Sequence, residues 1–238
     1  MDINKKSLID FLKLMAVKGE VENKELILNI DNNIEARTIT PLKSVSVYGT
    51  LKTDKIEKDE YGIGNLKLFI NLLNLCSSEV VEINRDNNKL KIISPDKNLI
   101  ISYILTDVKY IKNSLDKTSF NSILKKVEGN EFLLPLSIIQ YIISCCSVLG
   151  NDNLIIESDG KVLRFSLENN ENEILTTIPL PEDSKIEEFK VKVGHLFIDI
   201  LSSLNQDVLV SMKDNEPIMI TVNNDNYKII YLIAQLKK

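Results

Sequence analysis

The two halves of the chain repeat each other. Ser7-Leu8-Ile9-Asp10-Phe11-Leu12 returns 130 residues on as Ser137-Ile138-Ile139-Gln140-Tyr141-Ile142. Ile63-Gly64-Asn65-Leu66 returns at the same spacing as Val193-Gly194-His195-Leu196. Glu79 to Asn84 returns as Asp207 to Met212, and Leu99 to Leu105 as Tyr227 to Ile233, both 128 residues on. Four matches in one order, all close to one offset, are hard to reach by chance. They point to two copies of one domain, and 238 residues divide into two domains of ordinary size. Duplicated domains tend to build symmetric objects.

Each half reads as strand, helix, several strands, helix, then three strands, an α+β pattern. In the first half Lys6 to Val17 has helical periodicity, with Leu8, Phe11, Leu12 and Met15 on one face. Lys24 to Ile30, Ile34 to Thr40 and Val45 to Leu51 read as strands, and Asn65 to Leu75 as the second helix. Val80 to Asn84, Lys89 to Ser94 and Leu99 to Leu105 close the half as three strands. The second half follows with helices over Ser137 to Val148 and His195 to Leu204. Its strands include Glu131 to Leu134, a hairpin around Ser158-Asp159-Gly160, Ile174 to Pro179 and Phe189 to Val193. The domains are expected over residues 1–107 and 131–238, joined by a connector over 108–130. That connector is polar but carries spaced apolar anchors, so it reads as lying across a surface.

Composition sets the class. Hydrophobic residues make up 44% and charged residues 26%, the balance of a globular protein. No apolar run approaches the length of a membrane span, and Met1 to Lys6 lacks the layout of a signal peptide, so a cytoplasmic setting and no membrane partner are expected. Three cysteines, two of them adjacent, make no disulfide framework and read as buried thiols. The net charge of −5 argues against phosphate binding on average, but the acids bunch in loops such as Glu182 to Glu188.

The polar stripes of the four helices are Lys6, Asp10 and Lys13; Lys67, Asn71 and Asn74; Ser137, Gln140, Ser144 and Ser147; and His195, Asp199 and Ser202. Each helix should lie on a sheet and turn this stripe outward. A solvated face is the bland reading of any one of them. Repetition makes the four equivalent.

No enzyme constellation is present, and neither metal nor cofactor is implied. A lone His195 excludes a two-histidine zinc site. Tyr61-Gly62-Ile63-Gly64 is too short for a dinucleotide fingerprint, and no Walker A or G-x-S-x-G sequence occurs. His195 reads as a stripe residue rather than a base, and Glu187-Glu188 as a solvated loop pair.

Asp207 to Met212, then Pro217-Ile218, then Tyr227 through Tyr231-Leu232-Ile233-Ala234, resembles the end of proliferating cell nuclear antigen. The opening helix and Ile63 to Leu66 resemble the same family, although Gln235 stands where the family has proline. The chain length and the Ile156 to Lys161 hairpin look equally like the sliding clamp of T-even-type bacteriophages.

The resemblance implies a DNA sliding clamp, the processivity factor of a DNA polymerase, of viral or phage origin. It implies two clamp domains per chain and a head-to-tail homotrimer with helices lining a ring around double-stranded DNA. It also implies an ATP-dependent clamp loader. By resemblance the DNA-facing residues are Lys5, Lys6, Lys13, Lys18, Lys67, Asn71, Asn74, Gln140 and His195. Asn71 and Asn74 replace lysines of the cellular clamps, which weakens the field expected inside the ring. The subunit interface would pair Ile100, Ser102 and Ile104 with Glu173, Leu175 and Thr177 of the next chain. A partner-peptide pocket would use Ile30, Ile34, Tyr110, Ile111, Leu115, Pro217, Ile233 and Ala234. Three other readings fit the same residues: a clamp-like non-ring processivity or late-transcription factor, an enzyme with an unrecognised site, and a duplicated structural protein.

Overall fold

A computed structural model describes residues 2–17, 24–53, 58–112, 114–127, 129–150, 153–168 and 172–235. The chain forms two compact units, Met1–Asp116 with Asn223–Ile229, and Lys117–Val222 with Ile230–Lys238. They interleave where the sequence suggests consecutive pieces. The connector is divided between them at residue 116, and the closing strand at residue 229.

The first unit runs β1 (Asp2–Asn4), α1 (Lys5–Met15), β2 (Leu26–Ile30), β3 (Asn33–Ile39), β4 (Val45–Lys52), β5 (Asp59–Ile63), α2 (Leu66–Asn74), β6 (Val80–Asp86), β7 (Lys89–Ile93) and β8 (Ile100–Ile104). The strands lie antiparallel in the orders β5-β2-β3-β4 and β1-β6-β7-β8. Asn4 starts α1 by accepting the Ser7 amide at 2.9 Å, and Asn65 starts α2 by accepting the Leu68 amide at 2.9 Å. The helices pack on each other, and Leu8, Phe11, Leu12 and Met15 of α1 and Leu66, Phe69 and Leu73 of α2 are buried. Each such side chain contributes about 1.5–3 kcal/mol through burial. Two cross-links knit this unit: the Lys52 amide donates to the Asn226 carbonyl at 2.8 Å, and the Phe11 and Tyr227 rings lie 6.3 Å apart.

The second unit runs α3 (Lys117–Val127), β9 (Asn130–Leu134), α4 (Leu136–Leu149), β10 (Leu154–Ser158), β11 (Val162–Glu168), β12 (Glu173–Pro179), β13 (Phe189–Val193), α5 (His195–Ser202), β14 (Val208–Met212), β15 (Ile218–Asn223) and the end of β16 (Tyr227–Ile233), whose first three residues belong to the first unit. Its strand orders, β13-β10-β11-β12 and β9-β14-β15-β16, are those of the first unit with each strand replaced by its counterpart. The duplication is therefore one of fold as well as sequence. Asp207 caps α4 by accepting the Leu136 amide at 2.8 Å, and Gly150 ends it in the left-handed region at φ 60°. Phe132, Phe165 and Phe189 form the aromatic centre of the core.

Two elements go beyond the sequence expectation. Strand β5 carries Asp59, Glu60 and Gly62 and so lacks an alternating apolar signal. Much of the connector is the helix α3, anchored by buried Phe120 and Val127. Its Val127 carbonyl accepts the buried Ser211 hydroxyl at 2.9 Å.

Candidate functional site

The helices turn the expected stripes outward. Lys6 and Lys13 on α1, Lys67, Asn71 and Asn74 on α2, Gln140 on α4 and His195 on α5 are all exposed. Lys18 lies outside the described residues. Lys5 behaves differently: it is half-buried, and its ammonium donates to the Cys76 carbonyl. Burial pushes the Cys76 thiol pKa up, and the Lys5 charge partly opposes that rise. Lys5 thus joins the start of α1 to the end of α2. Asn74 donates back to the Ile70 carbonyl at 3.0 Å and trims α2 from outside.

Sequence reasoning passed over the apolar members of these faces. Leu68 on α2, Leu75 just past its end, and Tyr141 and Val148 on α4 are exposed, Val148 by 80%. A hydrogen bond with the Cys145 thiol raises the Tyr141 pKa. The signal was present in α4, whose fourteen residues include no Asp, Glu, Lys or Arg.

The proposed interface residues lie on two sheet edges. Among the described residues β8 pairs only with β7, and β12 only with β11. Ile100 is 57% exposed, Ile104 66% and Leu175 54%, and Ser102, Glu173 and Thr177 are exposed beside them. The duplicated counterparts differ. β16, equivalent to β8, is mostly buried, as is β4, equivalent to β12. No residue of β12 is buried on either face. Tyr103 fastens β8 from its inner side, where its hydroxyl accepts the Asn65 amide at 3.0 Å and its ring lies 5.1 Å from that of Phe69. Burial raises the Tyr103 pKa.

The expected peptide-pocket residues are distributed unevenly. Ile30 and Ile34 are core residues of the first unit, 2% and 1% exposed, and offer no surface to a partner. Alternation puts them on the inner face of their sheet, which the sequence pattern alone leaves open. Ile111 is likewise buried, with its side chain beside Gly62. Tyr110 is exposed, its ring beneath the Lys109 ammonium at 4.9 Å, and Leu115 is half-buried. In the second unit an apolar cleft gathers Val193, His195, Phe197, Ile218, Ile233 and Ala234. Ile233 and Ala234 line this cleft together with His195 from the helix stripe; Pro217 is half-buried next to Ile218 but does not line it. Gly194 opens α5 there without a side-chain cap.

One further exposed side chain, Leu42, went unread in the sequence. It projects from the β3–β4 turn, 79% exposed. Thr40 holds that turn, its hydroxyl oxygen accepting the Ser44 and Val45 amides at 3.1 and 3.0 Å. Among the described residues no helix is long and apolar enough to cross a membrane.

No protein-family model matches the chain, and no curated protein matches it in sequence. Solved structures do match in fold. A crystal structure of PCNA from Thermococcus kodakaraensis superposes with a TM-score of 0.75 over 98% of both chains, at 17% identity. A structure described as the C-terminal region of FEN-1 bound to A. fulgidus PCNA gives 0.80 over 100% of this chain and 98% of that one, at 13% identity. The chain has the fold of PCNA.

Proposed function

We propose that this chain is the subunit of a DNA sliding clamp, a homotrimeric ring that encircles duplex DNA and tethers a DNA polymerase. The observation that carries the reading is the pair of uncovered edges. β8 and β12 expose Ile100, Ile104 and Leu175, whereas their counterparts β16 and β4 are mostly buried. Pairing β8 of one copy with β12 of the next would cover both and satisfy their edge hydrogen bonds. Repeated head to tail, such a contact closes into a ring. The PCNA-like fold supports this assembly, and the outward lysines of α1 and α2 supply sequence-blind phosphate contacts.

The chain acts by binding rather than turnover. A closed ring holds DNA by topology, so few and weak contacts suffice, which suits an acidic protein with four lysines on α1 and α2. An ATP-dependent loader would open the ring. A structural neighbour is described as bound by the C-terminal region of FEN-1, and a comparable tail of a replication protein would seat apolar side chains in the cleft of Ile218, Ile233 and Ala234. Light scattering over a concentration series, with retention on circular against linearised DNA, tests the reading. A mass approaching three chains of 27.0 kDa and loss of retention on linearisation are expected. A monomer at every concentration would instead favour a non-ring factor.

A further inference from the structure

We propose that the four duplicated helices meet duplex DNA through different chemistry, with the phosphate-neutralising cations confined to α1 and α2. This rests on the sliding-clamp reading. The duplication makes α1 the counterpart of α4 and α2 that of α5, so their outward faces can be compared position by position. α1 and α2 carry Lys5, Lys6, Lys13 and Lys67 against one acid, Asp10. Lys5 is engaged inside the unit by the Cys76 carbonyl. Lys6, Lys13 and Lys67 are exposed, and among the described residues none forms an ion pair. Lys6 and Lys13 are seven residues apart, so they share a face at a spacing of about 10 Å along the axis. Two lysines and no acid occupy the first turn of α1, an order the helix dipole disfavours and a phosphate would relieve.

The counterparts α4 and α5 offer nothing comparable; Lys117, Lys125 and Lys126 of the second unit stand on α3, which has no counterpart helix in the first unit. α4 has no charged side chain, and its exposed groups are the hydroxyls of Ser137, Ser144 and Ser147, the Gln140 amide, the Tyr141 phenol and Val148. α5 adds His195 and one acid, Asp199. Lys190 and Lys192, just before α5, stand on β13 rather than a helix, and Lys190 already pairs with Glu157 at 2.9 Å. Hydroxyl and amide groups can hydrogen-bond to phosphate oxygens but release no counterions, so they leave the salt dependence of binding untouched. Each subunit then grips with α1 and α2 and glides on α4 and α5.

The test is equilibrium binding to a short linear duplex, which a ring can thread from its ends, measured by fluorescence anisotropy over a range of salt. Replacing Lys6, Lys13 and Lys67 by Ala is expected to reduce the slope of log K against log salt by about 0.9 for each phosphate that is no longer neutralised. Ser137, Ser144 and Ser147 replaced by Ala should leave the slope at its wild-type value, and Ser144→Lys should raise it. A slope that survives the lysine replacements, or falls with the serine replacements, overturns the one-sided assignment. Retention on circular DNA is followed in parallel. If the slopes behave as expected but circles are held no longer than linear DNA, the ring reading fails and the charge assignment stands.

Discussion

The amide of Thr106 donates to the carbonyl of Gly62 at 2.9 Å, and a Cβ on Gly62 would lie 2.1 Å from the carbonyl oxygen of Thr106. The exit of β8 thus rests directly on β5, and Gly64 meets the Thr106 side chain just as closely. This gives Tyr61-Gly62-Ile63-Gly64 a packing role. Gly62→Ala must push backbone away from backbone, which is expected to cost about 1–3 kcal/mol. Gly129→Ala, where the nearest atom is 3.7 Å away, is the control and should change stability little. Urea denaturation of both variants provides the comparison.

Ser211 carries a second prediction. Its hydroxyl is buried and donates to the Val127 carbonyl, the last of α3. Ser211→Ala leaves that acceptor without the bond, and a loss of about 1–3 kcal/mol is expected. Hydrogen exchange should localise the effect to α3 and β14.

The β10–β11 hairpin turns on Asp159. Its carboxylate accepts the Lys161 and Val162 amides at 3.0 and 3.1 Å and pairs with Arg164 at 2.5 Å. The Lys161 amide first, then Arg164 and Val162, lower its pKa from 3.8 to about 2. A depressed carboxylate stabilises the folded state above its unfolded pKa and loses that contribution as pH falls through the folded value. The hairpin should therefore loosen between about pH 4 and pH 2, and Asp159→Asn should remove that pH dependence. The carboxyl titration by NMR reads the midpoint, and a midpoint near 4 would refute the account.

Assembly through the two edges predicts a sharp response to charge. Ile104→Glu or Leu175→Glu buries an uncompensated carboxylate at the proposed contact and should shift the particle from three chains towards one. Leu133, 56% exposed on β9, offers a control at a different edge, and Leu133→Glu should leave the mass unchanged. Light scattering with circular dichroism separates loss of assembly from loss of fold.

Much of this architecture is written locally. The periodicity of Leu8, Phe11, Leu12 and Met15, the caps Asn4 and Asn65 and the near-constant repeat offset specify duplicated α+β units, because helix and turn preferences act over a few residues. α4 announces its neutral face in its own fourteen residues. β5 and α3 are weaker in the sequence because their support comes from afar, from Thr106 for the one and Ser211 for the other.

By itself, then, the sequence determines the repeat, the four repeated helices and which of their faces carry lysine. Only the tertiary structure decides which apolar strand residues are core and which are surface. Ile30 and Ile34 look much like Ile100 and Ile104 in their local pattern, yet the first pair is buried and the second is more than half exposed. The difference is physical: burial on a strand depends on which neighbour covers it, and that neighbour is chosen by the topology of the whole sheet.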